Sequence, residues 1–383
     1  MAKGKWIIWL LGLGLMTGTV GFANEGVYQF SDVQKAINQQ NSQILRQLAD
    51  TELLRLQKET LSEQKEMMEP LQPILGSATN LLGGESALQL ISLSDYLPAQ
   101  LDSGIRLSEL GVELARNSVM IGARQLVLGI MQTQQAARRA RENVAIQEDN
   151  WNRTLLSFNK GMATETERLK AKADLEKAKL DLDRFELDRK DYIRRLNQLM
   201  GKPIESEFVF LREKAKEEPL LEEETYLESA LNQRFEIIQI KESLILKDQE
   251  LGLYETYGLK DDSALYKTYQ RLQAERDQML LQLEEAKENV ELDVRTAYRQ
   301  VIIANQQRIA LTSSRDAKRT LLANLRLQRS QGFVSEALFD GTENALKELE
   351  EGVDLLNLQY NTARLALDYA SQVGPGLGSG VTP

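Results

Sequence analysis

Residues 168–199 and 339–370 align at a constant offset of 171 positions, and this internal repeat restricts the fold more tightly than any other feature of the chain. In the first copy a heptad seam runs through Leu175, Ala178, Leu182, Phe185, Arg189, Tyr192, Leu196 and Leu199. In the second it runs through Leu346, Leu349, Val353, Leu356, Tyr360, Ala363, Leu367 and Ala370. Alternating steps of 3 and 4 keep one face of a helix turned toward a partner helix over many turns, so both copies read as coiled-coil helices.

The same offset pairs Gly161 with Gly332 and Thr164 with Ser335, just ahead of each seam. Glycine suits the left-handed stop of one helix, and a hydroxyl residue caps the next. Thr164-Glu165-Thr166-Glu167 has the form of a capping box. Each copy is therefore expected to be a helical hairpin with a tight turn. Prolines occur only at 70, 73, 98, 203, 219, 375 and 383, which leaves two stretches of more than a hundred residues free to run as helix.

The units also begin alike. Lys35-Ala36-Ile37-Asn38-Gln39 returns as Ser229-Ala230-Leu231-Asn232-Gln233. The expected helices are 31–67, 104–158 and 164–199, then 222–256, 262–330 and 335–372. The incoming helix of the first unit carries a seam of mostly small residues, Val112, Ala115, Val119, Gly122, Leu126, Gly129, Thr133, Ala136 and Ala140, suited to close helix packing. The expected organisation is a first unit over 24–203 with its turn near 159–164 and a linker over 204–220. A second unit follows over 221–374 with its turn near 330–335, then a flexible tail over 375–383. Within the linker, Glu207–Leu211 could form a short strand. The fold class is all-α, with little or no β-structure.

Lys3 and Lys5, an apolar run from Trp6 to about Thr17, and Gly21-Phe22-Ala23 read as a signal peptide over 1–23. Export to the cell envelope follows. The net charge of −10 is spread through mixed Glu, Lys and Arg, with no basic stripe for nucleic acid. The chain has no cysteine and no histidine, which removes thiolate metal sites and the usual general base. Glu222-Glu223-Glu224 and Asp261-Asp262 stand among polar residues without a nucleophile or phosphate loop and read as solvated charge. No catalytic, cofactor or metal site is expected, and the chain does not read as an enzyme.

These features resemble the TolC-like outer-membrane efflux family. Phe158-Asn159-Lys160-Gly161-Met162-Ala163-Thr164 matches the family's aromatic-x-x-Gly-x-x-Thr/Ser turn, and Leu196 through Gly201 matches the end of its returning helix. In the second turn Arg329 stands where the aromatic would be. The resemblance implies a homotrimer whose twelve long helices close into a hollow cylinder, an α-barrel. It implies a passive duct of an efflux or export system, working with a membrane-fusion adaptor and an inner-membrane transporter. It places adaptor contact at the hairpin turns, Gly161, Met162, Ala163 and Thr164 in one and Gly332, Phe333, Val334 and Ser335 in the other. It also implies carboxylates near the entrance, for which Glu336 and Asp340 are the candidates. Their register is shifted by about one residue, and Leu338 fills a place that is often acidic. Solvated surface charge is the other reading of both.

The sequence departs from the family at the outer membrane. Spanning strands should appear as ~10-residue alternating segments. Leu251 to Ala264 is too short for two of them, and Pro70 to Ser103 lacks the alternation. Insertion as a β-barrel is therefore in question, and membrane contact would fall to 70–100. The alternative function is a non-conducting, structural or adaptor-like coiled-coil protein of the envelope.

Overall fold

The computed structural model describes residues 26–68, 96–256 and 265–375. The expected signal peptide, most of the 70–103 segment, residues 257–264 and the end of the tail lie outside them. A three-residue strand β1 (Gly26–Tyr28) leads into helices α1 (Phe30–Gln40), α2 (Ser42–Met68), α3 (Leu97–Asn159) and α4 (Glu165–Leu199). After strand β2 (Phe208–Phe210) come α5 (Glu223–Gln233), α6 (Phe235–Thr256), α7 (Tyr266–Ser330) and α8 (Glu336–Ala370). The all-α reading holds. The only sheet among the described residues is the parallel pair β1–β2, in which Val27 lies opposite Val209.

Two helix breaks go beyond the sequence reading, which ran 31–67 and 222–256 as single helices. At Asn41 the backbone turns extended, with ψ 123°. Its side-chain oxygen accepts from the amides of Gln43 and Ile44, while Nδ2 donates to Leu199 O at 3.0 Å. Arg234 makes the corresponding break, with ψ 132°. Its buried guanidinium donates to Ala370 O, Glu236 and Asp293. Each break thus places a side-chain donor on the last carbonyls of a hairpin's returning helix, groups that a helix end leaves without a partner. The long helix α3 also begins earlier than expected. Pro98 lies in its first turn, where a missing N–H costs no helical hydrogen bond.

The four long helices lie side by side in the order α4, α3, α8, α7. The expected heptad seams face inward, and every one of their positions is buried or half-buried. Gly129 shows why the α3 seam uses small residues. A Cβ there would lie 2.8 Å from the Tyr192 ring of α4, so glycine is what lets that ring lie against α3. Helices α3 and α8 occupy the middle of the row and are covered on more than one side. From Leu349 to Ala370 no residue of α8 is exposed. Leu358 enters the core formed with α1, α3 and α4, whereas Tyr360 and Leu367 enter the one formed with α5 and α7.

The linker is bound down across this row. Asn197 donates to Ile204 O and Ser206 O at 2.9 and 2.8 Å. Arg124 of α3 stacks on Phe30 at 3.5 Å and donates to Glu213 at 2.6 Å. Asn361 of α8 accepts from Lys216 N and donates to Lys214 O, each at 2.9 Å. A chain segment with little secondary structure needs such partners, because its buried peptide groups have no ladder of their own.

Candidate functional site: hairpin turns and free helix flanks

Both turns adopt the geometry expected of them. Gly161 and Gly332 take φ of +70° and +78°, a region open to glycine with little strain. The amide of Met162 donates to Ser157 O and that of Phe333 to Gln328 O, closing each helix end with a backbone bond that spans the stop. Thr164 and Ser335 then start the returning helices, their hydroxyl oxygens accepting from the amides of Glu167 and Leu338 at 3.3 Å. Only the first turn completes the capping box, with Thr164 N donating to Glu167 Oε2 at 2.6 Å. That backbone bond holds the Glu167 carboxyl below its ordinary value. In the second turn the reciprocal position is Leu338, which cannot reach back.

The tips differ in a second respect, which accounts for the aromatic missing from the second turn. Arg168 of α4 lies 5.2 Å from the Phe158 ring of α3, and Arg329 of α7 lies 4.5 Å from the Phe339 ring of α8. At the offset of 171, Phe158 corresponds to Arg329 and Arg168 to Phe339. Both tips therefore hold one cation over one aromatic ring across the hairpin, with the two partners exchanged. Aligning the two tips together rather than singly would have revealed this from sequence.

The expected contact residues lie at the ends of the hairpins. Met162 is 71% and Phe333 78% exposed, unusual for large apolar side chains, while Ala163 and Val334 are half-buried beneath them. Glu336 and Asp340 are exposed, one turn apart at the start of α8. Glu336 is already paired with Arg329 at 3.1 Å, and no cluster of three metal-binding side chains occurs among the described residues.

A further apolar surface lies on the outer helices. On α4 the seam that packs on α3 leaves Leu169, Leu180 and Leu187 exposed. At about 100° per residue these three fall roughly half a turn from the buried seam. On α7, Val290, Val294 and Val301 are buried, while Leu281, Leu292 and Ile303 are exposed on the opposite side. Each outer helix thus has two apolar stripes, one packed within the chain and one uncovered. In the sequence of α4 only the packed stripe stands out, because steps of 11 and 7 are less conspicuous than an unbroken heptad. No helix among the described residues is long and apolar enough to cross a membrane.

No protein-family model matches the sequence, and no curated protein is similar to it in sequence. Solved structures resemble it in fold. The open state of the Neisseria gonorrhoeae MtrE outer membrane channel aligns with a TM-score of 0.56 at 15% identity, covering 91% of this chain and 89% of the other. The Campylobacter jejuni CmeC outer membrane channel aligns at 0.56 and 14%, covering 91% and 86%. The outer membrane protein VceC from Vibrio cholerae aligns at 0.54 and 10%, covering 90% and 96%. Over about nine-tenths of its length, the chain has the fold of the TolC-family outer-membrane channels.

Proposed function

We propose that the protein is a passive conduit of a cell-envelope efflux or export system, formed when copies of the chain close into a ring. The observation that carries this reading is the pair of uncovered stripes. A row of four helices with one free apolar stripe at each flank, Leu169, Leu180 and Leu187 against Leu281, Leu292 and Ile303, is a head-to-tail interface. Such interfaces form closed rings when the rotation between copies closes. A trimer would place twelve long helices around a lumen. The similar fold of the MtrE and CmeC channels supports the same role.

Within that role the chain is two tandem units, 24–203 and 221–374, joined by the 204–220 linker and exported by cleavage after residue 23. The hairpin tips meet a membrane-fusion adaptor through Gly161–Thr164 and Gly332–Ser335, where Met162 and Phe333 offer apolar contact area. An inner-membrane transporter supplies energy. Glu336 and Asp340 add negative charge at the narrow end.

Light scattering on the purified chain from Asn24, with electron microscopy of the same sample, tests the assembly. A trimer with an open axis is expected. A monomer that persists at high concentration, with and without detergent, would remove the basis for a duct. Conduction is tested separately: deletion should raise sensitivity to exported compounds, and a non-conducting spacer would leave sensitivity unchanged.

A further inference from the structure

Away from the tips and flanks, one groove has a charge opposite to that of the whole chain. It has a volume of about 560 Å³, is bounded by α3, α4 and α8, and is bordered by Phe210 and Arg212 of the linker. Met131, Ala137 and Phe210 supply its apolar wall. Five cationic side chains line it against three carboxylates, although the protein as a whole carries −10.

Each carboxylate is already taken. Arg138 pairs with Glu351, Arg141 with Glu186 at 2.7 Å, and Arg212 with Asp354 at 3.2 Å. Arg189 and Lys190 of α4 are left without a carboxylate within 4.0 Å among the described residues. The buried Nε–H of Arg138 makes no hydrogen bond and has the Glu142 carboxylate 3.8 Å away. Arg189 further occupies the heptad seam at the position where the second copy packs Tyr360, so a cation stands where helix packing alone favours an apolar or aromatic side chain.

We propose that this groove binds a small, soluble organic anion: a flat apolar body bearing one carboxylate, sulfonate or phosphate group. The body lies against Phe210 and Met131. The anionic end is held by Arg189 and Lys190. The volume suits such a ligand, since small-molecule sites commonly span about 300–1,000 Å³. Planar guanidinium groups match the oxygens of these anions, and charge-assisted bonds are the stronger class of hydrogen bond. The inference rests on this groove alone and is independent of ring closure.

Calorimetric titration of the purified chain with 2-naphthalenesulfonate, against the neutral 2-naphthalenemethanol, tests it. One site per chain is expected, with the sulfonate bound at least about tenfold more tightly than the alcohol, the effect of one charge-assisted bond. Lys190→Glu, at an exposed position that folding tolerates, and Arg189→Gln should each weaken the sulfonate about tenfold at unchanged helicity, while Lys172→Glu, elsewhere on α4, should not. Equal affinity for the alcohol, indifference to the α4 substitutions at 189 and 190, or displacement of the sulfonate by phosphatidylglycerol vesicles would overturn the proposal.

Discussion

Replacing Leu281 and Leu292 of α7 together by glutamate should break the proposed ring while leaving each chain folded. The two side chains are 73% and 62% exposed in the single chain. Fully burying a leucine is worth about 1.5–3 kcal/mol, so covering what remains exposed contributes roughly 1–2 kcal/mol for each. Their loss removes about 2–4 kcal/mol from every joint of the ring, before any cost of burying the new carboxylates is added. At 1.4 kcal/mol per factor of ten, each contact weakens by about thirtyfold to about a thousandfold. The fold should be spared, because glutamate forms helix nearly as well as leucine and surface substitutions usually stay within about 0.5 kcal/mol. Mass photometry across a dilution series reads the assembly, and thermal denaturation of the monomer reads the fold. The reciprocal change at the other flank, Leu180→Glu with Leu187→Glu, should have the same effect, since those residues are 68% and 60% exposed on the helix that would face α7 of the next copy. Unchanged assembly in both double variants would refute the argument that these stripes form the joint.

Four further outcomes are expected. Gly129→Ala should lower stability by up to about 2 kcal/mol despite the better helix former, because the added carbon meets the Tyr192 ring at 2.8 Å and overpacking of about 1–3 kcal/mol outweighs about 1 kcal/mol of propensity; chemical denaturation reads the difference. Thr164→Ala should cost about 1 kcal/mol of cap at α4 and speed amide exchange in its first turn. The wild-type cap has a matching pH dependence: the Glu167 carboxyl is held below its ordinary 4.5, so its contribution is complete above that pH and fades as acidity passes the lowered value, which amide exchange at Glu167 follows. Asn361→Ala should leave Lys216 N–H and Lys214 C=O without their side-chain partners, at a cost of about 2 kcal/mol, and trypsin should then cut at Lys214 and Lys216 sooner than in the wild type.

The turns were readable in the sequence because their chemistry is local. A glycine at positive φ followed three residues later by a hydroxyl cap needs nothing from the rest of the molecule, and Gly161 with Thr164 and Gly332 with Ser335 adopt that arrangement. The breaks at Asn41 and Arg234 were not readable. Their acceptors, Leu199 O and Ala370 O, lie 158 and 136 positions away, and helix propensity continues smoothly through both sites. The exchanged pairs Phe158–Arg168 and Arg329–Phe339 were missed because a motif is read along one strand of sequence, whereas the contact runs between two helices. Arg189 reads as one more seam position in the sequence, because the groove that gives it a role is assembled from α3, α4, α8 and the linker.

The amino-acid sequence by itself determined that the chain is helical, that it doubles back at two capped glycine turns, and which face of each returning helix packs. Periodicity and capping act over a few residues, so composition and spacing suffice for them. Only the tertiary structure decided the order α4, α3, α8, α7. It also decided which helices are enclosed and which keep an apolar stripe uncovered. A leucine every seven or eleven residues marks a sticky face, but whether that face is already covered depends on every other segment that competes to bury it.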